Sequence, residues 1–87
     1  MKTELNEFKV KTLAILTTYE YKNDREKELI SILFSKINYL NMYTLTDLFI
    51  ALYQIRKNEK GITEDFKNKI KEITLLASQL LNEDNEH

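Results

Sequence analysis

The side chains that could hold a metal ion or move a proton are two adjacent carboxylate pairs, Glu64-Asp65 and Glu83-Asp84, and one histidine, His87. Acid–base catalysis and metal binding need such groups to converge on one point. Neighbours on a helix diverge by about 100°, so neither pair aims both carboxylates at a shared proton or cation. His87 is the final residue and has no element to hold it in geometry. Capping and solvation are therefore the expected duties of the carboxylates. The sequence has no cysteine, no Glu-x-x-His pair, no glycine-rich phosphate loop and no Gly-x-Ser-x-Gly elbow. No catalytic, cofactor-binding or metal-binding residue is expected, and the chain is expected to act by binding, not as an enzyme.

For binding, the relevant chemistry is charge and exposed apolar surface. Lys and Arg total 13 against 14 Asp and Glu, a formal charge of −1, so no overall basic field gathers nucleic acid or anionic lipid. The cations are nevertheless uneven: Arg56, Lys57, Lys60, Lys67, Lys69 and Lys71 cluster in the second half. Charge runs are more often solvated faces, and Glu59, Glu64, Asp65 and Glu72 interleave with these cations. Leu75 adds an apolar group, because it projects about 180° from Phe66 on a helical wheel and away from the stripe containing Ile73. Ile50 is displaced in the same way. Arg56, Lys57, Lys60, Lys67, Lys71 and Leu75 are the residues expected to meet a partner. Of the tyrosines, Tyr19, Tyr39 and Tyr53 lie near apolar stripes, and Tyr21 and Tyr43 fall in connections.

Helices must position these residues. The chain has no proline and one glycine, Gly61, which leaves little turn chemistry for a sheet. Leu5, Phe8, Ile15, Leu16 and Tyr19 follow a helical rhythm from about Thr3 to Glu20. Asn23 followed by Glu26 resembles a capping box and starts a second helix, with Leu29, Ile30, Leu33, Phe34, Ile37 and Leu40 on its broad apolar face. Thr44 or Thr46 is expected to cap a third through its hydroxyl, with Asp47 at the positive end of the dipole and Leu45, Leu48, Phe49, Leu52 and Ile55 inward. That helix is expected to give way to a solvated turn at Arg56, ended by Gly61 at positive φ. Ile62-Thr63-Glu64-Asp65 is the strongest start signal, and Phe66, Ile70, Ile73, Ala77 and Leu80 then repeat at bundle spacing.

These segments predict an all-α, antiparallel, up-and-down four-helix bundle over residues 1–81, followed by a frayed polar tail over 82–87. Hydrophobic residues make up 43% of the chain and charged residues 31%, a balance that folds. Without cysteines, a signal segment or an apolar membrane span, the expected setting is the cytoplasm and the expected state a monomer.

The stretch from Leu45 to Ala77 resembles the immunity proteins that protect Gram-positive bacteria from their own pediocin-like, class II bacteriocins. Enterocin-A-type members are similar in a leucine-spaced third helix ending in a Leu-Tyr pair, here Leu52-Tyr53. A charged turn follows, then an apolar-Thr-Glu helix start, here Ile62-Thr63-Glu64, and isoleucines, here Ile70 and Ile73. The resemblance implies self-immunity by binding at the cytoplasmic face of the mannose phosphotransferase permease once the bacteriocin has engaged it, with discrimination in the carboxyl-terminal half. The alternative reading is a small helical regulatory or protein-interaction module of phage or plasmid origin. Neither reading calls for a cofactor, a nucleic-acid partner or stable membrane insertion.

Overall fold

A computed structural model describes residues 2–85 of the chain, with side chains over residues 4–82. The order is α1 (Lys2–Thr18), α2 (Asp24–Asn38), α3 (Leu45–Asn58) and α4 (Glu64–Asn85). The fold is the expected all-α, up-and-down four-helix bundle. Its principal extents are 41 × 22 × 17 Å, the cross-section of two helices by two, given helix diameters of about 10 Å. α4 packs most extensively on α3 and then on α1.

Each start signal has a local cause. Asn23 is extended (φ −157°, ψ 174°), and its Oδ1 accepts the Glu26 amide at 2.9 Å. Thr63 caps α4 in the same manner, its hydroxyl accepting the Phe66 amide at 3.3 Å. Glu64 and Asp65 then occupy the first turn, where the helix dipole favours negative charge. The start of α3 differs from expectation. Thr44 is the N-cap residue but makes no side-chain capping bond; its hydroxyl instead meets the backbone of Asn41. Thr46 lies inside the helix. Asn41 folds the link, with its Oδ1 accepting the amides of Tyr43 and Thr44 at 2.8 and 3.1 Å, the Asx turn that a short amide side chain favours.

The end of α3 also corrects the sequence reading. Arg56 and Lys57 belong to the last helical turn, where cations complement the dipole and prolong the helix. Termination falls to Glu59, which is extended (φ −74°, ψ 127°). Gly61 does not adopt positive φ. Its carbonyl accepts Asn23 Nδ2 at 2.8 Å, and its α-carbon faces the Arg25 side chain. α4 continues past Leu81 to Asn85, since no proline or glycine stops it; residues 86 and 87, including His87, lie outside the described residues, as do the side chains of Glu83 and Asp84.

The core is one cluster: Phe8 and Leu16 of α1, Leu29, Leu33 and Ile37 of α2, Leu45, Leu48 and Leu52 of α3, and the α4 stripe from Phe66 to Leu80, closed by Leu40 and Ile62. The gap in the α1 stripe between Phe8 and Leu16 is filled by Thr12. Thr12 is fully buried, and its hydroxyl has no hydrogen-bond partner.

Candidate partner-binding face

The grooves between helices determine which flanks of α3 and α4 turn outward. Leu29 and Ile32 of α2 line one groove with Ala51, Ile55 and Asn58 of α3. Phe8 and Lys11 of α1 line another with Leu76, Gln79 and Leu80 of α4. With Leu48, Leu52, Ile70 and Ile73 pointing into the core, helical periodicity places Ile50, Tyr53 and Lys57 of α3, and Lys67, Lys71 and Leu75 of α4, on the outside of the α3–α4 pair.

The apolar centre of this face is real surface: Ile50 is 46% exposed, Tyr53 49% and Leu75 55%. Ile50 and Leu75 are thus outward, as expected. Lys67, Lys71 and Leu75 follow one another at four-residue intervals along α4, and Lys67 is paired with Glu64 at 3.5 Å. The Lys57 ammonium stands over the Tyr53 ring at 5.8 Å from its centroid, a cation–π placement that holds it beside the apolar centre. Arg56 and Lys60 are exposed near the end of α3 and in the α3–α4 link. Lys69 is separated from this group: it pairs with Glu72 at 3.9 Å and borders a cleft against Thr18, Tyr19 and Lys22.

Two tyrosines were misplaced by periodicity. Tyr53 follows Leu52 by one residue, and about 100° of rotation carries it from core to surface. Tyr39 is 83% exposed, because α2 has already ended at Asn38 and the chain is turning. Of the three stripe tyrosines, Tyr19 packs on the core, edge-to-face against Phe66 at 5.4 Å between centroids.

At the end of the bundle where both the α1–α2 and α3–α4 links lie, Glu26 forms a buried polar knot that its capping-box spacing only hinted at. Its backbone amide serves the cap of α2, but its carboxylate turns inward and is fully buried. Oε1 accepts the Tyr19 hydroxyl and the Lys22 amide, each at 2.8 Å. Oε2 accepts the Thr63 amide at 2.8 Å and the Thr63 hydroxyl at 2.7 Å. A carboxylate offers about four lone-pair positions, and all are occupied, which leaves no site for a metal or a substrate proton. Burial pushes the Glu26 carboxyl up, but the amides of Thr63 and Lys22 and the hydroxyls of Thr63 and Tyr19 outweigh it, so the group titrates below the usual glutamate range. Burial, reinforced by the Glu26 carboxylate, raises the Tyr19 phenol. Beside the knot, Arg25 grips Glu59 through two bonds at 2.9 and 2.6 Å and also bonds Glu28. This pairing raises Arg25 and lowers Glu59.

Set against known proteins, the chain matches no family model, no curated protein and no solved structure. The functional reading therefore stands on the residues themselves. Among the described residues, no helix is long and apolar enough to cross a membrane.

Proposed function

We propose that the protein acts by stoichiometric binding through the outer α3–α4 face, and that this binding protects the cell that makes it from a class II bacteriocin. The partner in this reading is the bacteriocin-engaged mannose permease, met from the cytoplasmic side. The observation that carries the proposal is the grouping of Ile50, Tyr53 and Leu75 as exposed apolar residues among Lys57, Lys67 and Lys71. These residues fall inside the Leu45–Ala77 stretch on which the family resemblance rests. The reading calls on binding alone, and the buried Glu26 carboxylate, its acceptor positions filled, serves the fold.

The test is expression inside a bacteriocin-sensitive Gram-positive strain. Survival against a narrow set of class II bacteriocins, with continued sensitivity to others, is the expected result. Sensitivity to every class II bacteriocin tried, together with co-purification of a soluble regulator, would replace this reading with that of a regulatory interaction module.

A further inference from the structure

The face described above has a charge pattern that specifies its partner beyond "a protein". Ile50, Tyr53 and Leu75 form the centre, Lys57, Lys67 and Lys71 flank it, and Arg56 and Lys60 are exposed toward the α3–α4 link. Carboxylates nearby are mostly turned elsewhere. Glu59 is held by Arg25 of α2, and Glu72 is held by Lys69 on the flank facing α1. Among the described residues, Glu64 is the carboxylate that answers a cation of this group, Lys67, at 3.5 Å. Arg56, Lys60 and Lys71 have no carboxylate partner among the described residues. A chain with a formal charge of −1 thus carries a locally cationic face with an apolar middle.

We infer that this face binds an acidic amphipathic helix, laid across the outside of the α3–α4 pair with its apolar side on Ile50, Tyr53 and Leu75 and its carboxylates toward Lys57 and Lys71. The inference rests on the proposal that this face is the binding face, but not on the bacteriocin role. Three physical points favour this occupant. The backbone amides of α3 and α4 are committed to their own helices, so a partner cannot add as a β-strand and must be read through side chains. Two helices lying side by side accept a third across their outer surface by ridge-and-groove packing. A polyphosphate backbone would gain nothing from Ile50 and Leu75, whereas a helix with apolar anchors and acidic flanks satisfies both parts of the pattern.

The experiment uses isotope-labelled full-length protein and three probes: a synthetic amphipathic helical peptide with leucines on one side and flanking glutamates, its counterpart with lysines for glutamates, and phosphatidylglycerol–phosphatidylcholine vesicles. The glutamate peptide should shift amide resonances within 46–57 and 67–78. Lys57→Glu with Lys71→Glu should weaken its affinity about tenfold, whereas Lys11→Glu with Lys36→Glu, on other faces, should leave it unchanged. The lysine peptide should not bind. Equal binding of both peptides, perturbation centred on α1 and α2, or binding to vesicles but not to the glutamate peptide would overturn the inference, the last in favour of an anionic membrane. Peptide binding without bacteriocin protection in cells would retire the immunity role and leave the acidic-helix partner standing. Protection without peptide binding would do the reverse.

Discussion

One oxygen of Glu26 receives both the amide and the hydroxyl of Thr63, at 2.8 and 2.7 Å, across 37 residues of sequence. The same carboxylate thereby supports the first turn of α4 and anchors α2 to it, while its other oxygen holds Tyr19 and Lys22. Truncation by Glu26→Ala strands the amides of Lys22 and Thr63 in the interior, and should cost roughly 3–5 kcal/mol, a loss capable of unfolding so small a domain. Glu26→Gln keeps the shape but substitutes a donor for one acceptor, and should cost roughly 1–3 kcal/mol. Urea unfolding of both variants checks the order; a parent-like midpoint for Glu26→Ala would show that the knot contributes nothing.

The same bonds make stability depend on pH. The folded Glu26 carboxyl titrates below its unfolded value, so its contribution is present above the unfolded range, near pH 4–5, and is lost as pH falls through the folded value. Glu59, lowered by Arg25, acts in the same direction. Tyr19 has the opposite sign: its raised folded value gives a contribution that is complete below about pH 10 and declines as the pH rises through it. Melting temperatures should hold from neutrality to about pH 5 and fall below it. Glu26→Gln should fall less steeply, retaining the part due to Glu59. Parallel curves for the two proteins would contradict the assignment.

Two core substitutions should act in opposite directions. Ile73 is completely buried on α4, and Ile73→Ala should cost roughly 2–5 kcal/mol through lost transfer energy and an unfilled cavity. Thr12 is just as buried but has an unpartnered hydroxyl. Thr12→Val keeps the branching and removes the orphan, and should stabilise the fold by about 1 kcal/mol. Calorimetry on both variants distinguishes these signs directly.

Charge reversal at Arg56, Lys57 and Lys60 should weaken protection in cells while leaving the melting temperature within a few degrees of the parent. All are exposed, and exposed charges contribute little to stability. Equal loss of melting temperature and protection would mean that the residues support the fold and not a contact.

The helices were legible in the sequence because spacing, caps and acidic first turns agree; the stripe from Phe66 to Leu80 is the clearest case. The outward positions of Leu75 and Ile50 followed from the same periodicity. Tyr53 was misread because one position of rotation separates a core residue from a surface one. The hydroxyl cap of α3 and the glycine stop at Gly61 failed for another reason: the Thr44 hydroxyl is taken up by the Asn41 backbone in the link, and the extended backbone of Glu59 ends α3 before Gly61 is reached. Glu26 was visible as a cap residue, but its bonds to Thr63 depend on two links meeting in space, which no local pattern reports.

The knot also makes the bundle unequal along its length. Tyr19, Lys22, Asn23, Arg25, Glu26, Glu59, Gly61 and Thr63 tie distant segments together at one end, while the Asn41–Thr44 bonds at the other end close only their own link. The molecule is therefore built like a clothes-peg, sprung at the knotted end. Thermal opening should begin where α2 turns into α3, beside the exposed rings of Tyr39 and Tyr43, with hydrogen exchange in residues 38–45 faster than at the tie.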